Sequence, residues 1–170
     1  MIRVGGFEKV SFPQFLEAMA HNYGFMQEDE IRKIYDSIQL PSRATSGSAG
    51  YDFRSPVAFA LSPGASIKIP TGIRVRIEEG WWLGALPRSS LGFKYRLQLD
   101  NTMGVIDSDY YHSFNEGHIF IKVTNDGKNG KEVFIEQGDA VAQAIFLPYG
   151  ITYDDNVTSV RDGGFGSTGR

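Results

Sequence analysis

The chain has 170 residues and no cysteine, which excludes disulfide frameworks, zinc–thiolate centres and cysteine nucleophiles. Its formal net charge of -3 at pH 7 does not suit a nucleic-acid binder with a broad basic face. An acidic protein can still hold a polyphosphate with a few local donors. No stretch reaches the roughly 18 apolar residues of a membrane span, and Met1–Gly6 lacks the basic run and apolar core of a signal peptide. A soluble, cytoplasmic, single-domain protein is expected.

The first stretch, residues 1–38, predicts a short strand at Met1–Val4 and two helices. Ser11 is placed to cap the first, with Pro13 in its first turn and Phe15, Leu16 and Met19 on one apolar face. The second covers Glu28–Ile38. There Ile31, Ile34, Tyr35 and Ile38 fall at helical spacing, and Glu28, Asp29 and Glu30 sit where the helix dipole favours negative charge. Both helices are expected to pack rather than to do chemistry.

Residues 39–158 read as strands. Isoleucine and valine alternate through Ser66–Ile77 around a Pro70-Thr71-Gly72 break. Trp81–Leu86, Gly117–Thr124, Lys131–Ile135 and Ala140–Phe146 are further β-type runs separated by turn residues. Many short strands at regular spacing indicate an all-β sandwich, barrel or jelly roll. The last stretch, residues 159–170, is Gly-rich and ends RDGGFGSTGR. Its exposed amides, two hydroxyls and one aromatic suit a flexible phosphate clamp with a base-stacking ring.

Five segments carry the functional argument: Ser48–Phe53 (SAGYDF), Pro87–Gly92 (PRSSLG), Asp100–Tyr110 (DNTMGVIDSDY), Gly138–Phe146 (GDAVAQAIF) and the terminal RDGGFGSTGR. Each alone is modest. In this order they resemble all five motifs of the trimeric dUTPase family, over roughly residues 39–170, and the irregularities of the motifs suit a phage-type member. The resemblance implies a distorted jelly-roll, dUTPase-like β-barrel with an added N-terminal helical segment. It also implies a homotrimer with sites between subunits, and hydrolysis of dUTP to dUMP and pyrophosphate.

Residue roles follow from the same resemblance. Asp107 matches the carboxylate that activates the attacking water, with Gln143 and Asp52 beside it in the catalytic set. Arg88, Ser89, Ser90 and Gln143, with Arg161, Ser167 and Thr168 of the terminal arm, match the phosphate contacts. Asn101 and the backbone of Gly104, Val105 and Ile106 match a hairpin that reads uracil. Tyr110 matches the ring packed under deoxyribose, where it excludes a 2′-hydroxyl, and Phe165 matches the arm residue stacked on the base. Mg²⁺ is expected to ride on the triphosphate with its waters, with no direct protein ligand.

The chain also departs from the pattern. Ala140 stands where the family has the arginine that supports Asp52. Residues 112–116 (HSFNE) are inserted after Tyr110-Tyr111, and Ser90 replaces a common glycine. Arg161 lies one residue closer to the Gly-Gly-Phe than usual. The N-terminal helices and the 112–116 insertion are places where a regulatory protein partner would dock. Two alternatives follow: a dCTP deaminase-like enzyme, or a dUTP-dependent regulatory binder. Against the deaminase, Lys122 stands where that enzyme needs a glutamate. Against a catalytically dead binder, Asp107 and the arm are both retained.

Overall fold

A computed structural model describes residues 2–159. The candidate arm residues Arg161, Phe165, Ser167 and Thr168 lie outside this range, as does Met1. The first strand, β1, is Gly5–Lys9 rather than the expected Met1–Val4. It pairs antiparallel with β6, Ile73–Ile77. Gly5 is needed there, because a Cβ at that position would sit 2.5 Å from the Arg76 carbonyl oxygen.

Helix α1 spans Phe12–Asn22, with Ser11 accepting from the Gln14 N–H as its N-cap. Helix α2 spans Glu28–Ser37, and its acidic first turn faces the helix dipole favourably. The apolar stripes of the two helices close a satellite core. Phe15, Met19 and Ile31 are fully buried there, with Val10 and Val57 beneath them. Ile38 touches both this cluster and the main core.

The remaining strands are β2 (Ser42–Arg43), β3 (Tyr51–Arg54), β4 (Phe59–Leu61), β5 (Ser66–Pro70), β7 (Trp81–Pro87), β8 (Leu97–Leu99), β9 (Gly104–Ile106), β10 (Phe120–Asn125), β11 (Val133–Ile135) and β12 (Ala140–Pro148). Among the described residues they form a five-stranded sheet in the order β2-β3-β12-β7-β9, a three-stranded ladder β5-β10-β8, and the pairs β11-β4 and β1-β6. Every pairing is antiparallel. The described strands thus make a mainly β fold of packed ladders and do not close into a barrel. Alternating inward residues such as Ile69, Val75, Leu83, Ile121 and Val123 meet in the main core. Burying such chains stabilises the fold by roughly 1.5–3 kcal/mol each.

One helix is absent from the expectation. α3, Ser89–Tyr95, follows β7 directly and ends on Arg96 in the left-handed conformation (φ 51°). Its two serines and central glycine read as turn residues, so no helical stripe betrays it. None of its residues is buried.

Candidate active site

Two groups of candidate residues emerge. The first is built on neighbouring strands of the five-stranded sheet. Pairing of β3 with β12 sets Asp52 opposite Gln143, and pairing of β12 with β7 sets Gln143 opposite Leu86. Arg88 leaves the end of β7 and reaches back: its Nε lies 3.1 Å from Asp52 Oδ1. Nη2 contacts the second carboxylate oxygen at 3.5 Å, and Nη1 reaches the Ala140 carbonyl at 3.4 Å. Asp52 therefore has a cationic partner despite Ala140. The planar guanidinium comes from the end of β7, across β12 from Asp52, where a fork can address both carboxylate oxygens.

Gln143 donates from Nε2 to the Pro87 carbonyl at 3.1 Å, which fixes its amide beside the Arg88 turn. Gly50, just before β3, makes this possible, since a Cβ there would lie 2.6 Å from Gln143 Oε1. Ser89 and Ser90 follow at the exposed start of α3. The group offers a guanidinium, two hydroxyls and an amide, all suited to phosphate oxygens.

The second group surrounds a cavity of about 700 Å³, within the size range of small-molecule sites. Asn101 and Gly104 line it, and Ile106 and Ile119 give it apolar walls. The turn before β9 is tight: the Thr102 N–H reaches the Leu99 carbonyl at 2.9 Å, and Thr102 has a positive φ of 60°. This turn is not a simple hairpin. β8 pairs with β10, whereas β9 pairs with β7, so the turn stitches two different ladders together. Val105 points outward and is half exposed, while Gly104 and Ile106 are buried. Asp107 follows β9 directly, half-buried, at the start of a 3₁₀ turn over Ser108–His112.

Tyr110, the residue expected under the deoxyribose, packs inward. Its ring is 1% exposed within the main core, and it is not among the residues lining the cavity. Its hydroxyl donates to the His118 carbonyl at 2.8 Å and accepts from Asn115 Nδ2 at 2.9 Å. Burial of a phenol needs such partners, and the inserted loop supplies one of them. Phe114 and Asn115, from inside the insertion, line the cavity.

Lys122, opposite Lys68 across the β5–β10 ladder, also lines the cavity. Its Nζ lies 2.7 Å from Asp100 Oδ2, and the Thr124 hydroxyl donates to Asp100 Oδ1 at 2.5 Å. Burial raises the Asp100 pKa, but hydrogen bonds from Lys122 and Thr124 outweigh it and hold the carboxyl below its usual range. Lys122 is thus tied to Asp100 by an ion pair. Sequence reasoning missed Gly50, Lys68 and Asn115. Gly50 stood inside a quoted motif, where only its packing against Gln143 reveals its purpose. Lys68 looks like any outward strand residue.

No residue that lines the cavity takes part in the Asp52–Arg88–Gln143 group. Among the described residues, no group of three or more His, Asp or Glu is placed to hold a metal ion, and no helix is long and apolar enough to cross a membrane.

The dUTPase family model matches residues 36–169, which takes in both groups. The chain belongs to the dUTPase family. It is 41% identical over 135 residues to the deoxyuridine 5'-triphosphate nucleotidohydrolase of Lactococcus lactis subsp. lactis, covering 78% of this chain and 89% of that one. It is 38% identical over 146 residues to the enzyme of the same name from Enterobacter sp., covering 81% and 91%. The crystal structure of the Streptococcus mutans dUTPase superposes with a TM-score of 0.62 at 32% identity, over 86% of this chain and 98% of that one. A Staphylococcus bacteriophage 80alpha dUTPase carrying dUPNHPP shares the fold, with a TM-score of 0.58 at 24% identity over 78% and 92%. That phage enzyme is described as controlling transfer of virulence genes.

Proposed function

We propose that this dUTPase-family chain hydrolyses dUTP to dUMP and pyrophosphate by Mg²⁺-assisted attack of water on the α-phosphorus. The observation that carries the reading is the pairing of a phosphate-suited donor group, Arg88–Ser89–Ser90–Gln143, with a nucleoside-sized cavity bordered by Asn101 and Gly104. Asp107, one residue beyond the cavity wall at Ile106, is the general base. Neutral water is a poor nucleophile toward a charged phosphate, so a carboxylate that takes its proton lowers the barrier. Asn101 and the Gly104–Ile106 backbone read the uracil edge. Arg161, Ser167 and Thr168 supply arm contacts to the γ-phosphate, and Phe165 stacks on the base. Residues 39–158 form the catalytic core and residues 1–38 an appended segment.

The residues at hand fit a Mg²⁺ that arrives on the triphosphate rather than one held in a protein cage, because Asp52 is committed to Arg88. Bound there with its waters, Mg²⁺ would neutralise phosphate charge. Asp52 then orients Arg88, and Arg88, Ser89 and Gln143 align the phosphate chain and stabilise its developing charge.

The cavity and the donor group share no residue, and the family resemblance supports a homotrimer in which the cavity of one copy meets the donor group of another. Pyrophosphate release from dUTP, dCTP, dTTP and UTP tests the assignment, with the mass of each product's base identified. Selective release from dUTP is expected. Conversion of dCTP to a uracil product would replace the reading with a deaminase, and tight dUTP binding without turnover would replace it with a regulator.

A further inference from the structure

The inserted loop 112–116 is no loose bulge. It is tied down at four points. Asn115 donates to the Tyr110 hydroxyl. Glu116 accepts from the Ser11 N–H at 2.7 Å and from the Ser11 hydroxyl at 2.5 Å. Glu116 also lies 3.9 Å from Arg74 Nη1. Before the insertion, the Tyr111 hydroxyl donates to Glu8 at 2.8 Å, and its ring is stacked by the Arg74 guanidinium at 3.6 Å. Glu116 (φ 58°) and Gly117 (φ 70°) are consecutive left-handed residues that turn the loop sharply back. Glycine adopts that conformation freely; glutamate does so here while its carboxylate is gripped by the start of α1.

This bracing has a result. Phe114 is held 80% exposed, with its ring on the same cavity as Asn101 and Gly104. Within its own chain this aromatic is left uncovered, with one side toward the cavity. Its cavity partners are apolar walls at Ile106 and Ile119, with amides at Asn101 and Asn115. That combination of a flat ring, apolar sides and amide edges matches a planar heterocycle with polar edges attached to a sugar. Asn115 holds the Tyr110 hydroxyl while it lines the cavity, so the loop's wall is built onto that buried phenol.

Resting on the dUTPase reading of the site, we propose that Phe114 and Asn115 are specificity-determining residues that contact the deoxyuridine of the substrate, and that Glu116 is a positioning residue. Glu116 acts by anchoring the loop to Ser11 at the start of the N-terminal helical segment. The N-terminal segment thereby sets the shape of the nucleoside cavity without touching the nucleotide.

The test measures binding of dUMP by calorimetry and turnover of dUTP for the full-length wild type, Phe114→Ala, Phe114→Trp, Glu116→Ala and the Phe114→Ala/Glu116→Ala double variant. Circular dichroism and solution mass monitor folding and assembly. Phe114→Ala is expected to weaken dUMP binding by about tenfold, as loss of one base–aromatic stack does, and to raise KM with kcat nearly unchanged. Phe114→Trp should restore binding. Glu116→Ala should weaken binding too, and the double variant should be no worse than Phe114→Ala, since both act through one ring. Equal dUMP affinity of Phe114→Ala and wild type, with the wild type active on dUTP, overturns the proposal and leaves the dUTPase reading standing. Fully additive effects would make Glu116 a structural residue only. A wild type that neither binds dUMP nor turns over dUTP removes both.

Discussion

His118 gives the molecule a calculable acid sensitivity. The ring is fully buried between α1 and β10, 6.3 Å from the Phe15 ring and 4.5 Å from that of Phe120. Its Nε2 accepts the Gly72 N–H at 2.8 Å, so the proton of the neutral ring sits on Nδ1, which has no partner among the described residues. Burial pushes its pKa down from 6.5 to about 4; the nearby Glu116 carboxylate opposes the fall, and the Lys68 ammonium adds to it. The folded state therefore holds the ring neutral while the unfolded chain takes up a proton below 6.5. The contribution to stability is complete above pH 6.5 and is lost as pH falls toward about 4. Linkage gives a loss of about 2 kcal/mol between pH 7.5 and pH 5, and about 3 kcal/mol by pH 4. Urea unfolding at fixed protomer concentration, from pH 7.5 to pH 5, measures it for the wild type and for His118→Gln. Glutamine keeps an acceptor for Gly72 but does not titrate. The variant starts less stable, yet its stability should fall by about 2 kcal/mol less across that range. Parallel pH curves for the two proteins would refute the reasoning.

Other perturbations probe the site and its supports. Asp107→Asn should lower kcat by at least about 10²-fold, the lower end for general-base catalysis, while dUMP still binds; pyrophosphate release reads the first and calorimetry the second. In Gly50→Ala the new methyl meets only the Gln143 side chain, 2.6 Å from its Oε1. Stability should stay within about 1 kcal/mol, while the displaced amide lowers kcat/KM by roughly 10–100-fold. Arg88→Lys keeps the charge but loses the fork that spans both Asp52 oxygens. Its kcat should fall, and the double variant with Asp52→Asn should show a clear coupling energy in the same assay. Ser11→Ala removes the α1 cap and one Glu116 donor. It should cost about 1 kcal/mol and lower Tm by roughly 2–4 °C in a thermal melt.

The elements easiest to read in advance were those with a repeated apolar period. Phe15 and Met19 in α1, and Ile31 and Ile34 in α2, announce buried helix faces, and Ile67, Ile69, Ile73 and Val75 announce strands. What escaped depends on contacts between distant segments. β1 is GGFEK, with one apolar side chain and no alternation of its own, and only β6 makes it a strand. α3 is short, and only Leu91 and Tyr95 rest partly buried on the main core, too few to mark a stripe. In the site, Asp107, Gln143 and Asn101 stood out through motif order. The partner of Asp52 did not, because Arg88 and Asp52 are 36 residues apart and meet only through the pairing of β3 and β7 with β12. Likewise the burial of Tyr110 follows from Asn115 and His118, which belong to residues that no motif describes.

The Ser11–Glu116 contact joins residues 105 positions apart, and this orders events while the chain is being made. Helices α1 and α2 can form from local contacts as soon as they leave the ribosome. Their satellite core still needs Val57, and the clasp on the 112–116 loop has to wait until residue 116 has been synthesised. Long-range contacts of this kind are slow to close, because the intervening chain entropy is lost before they reward it. Residues 11–37 are thus translated early yet among the last to reach their final place, and a nascent chain stalled before residue 116 would hold a nearly assembled helical cap with nothing to clasp.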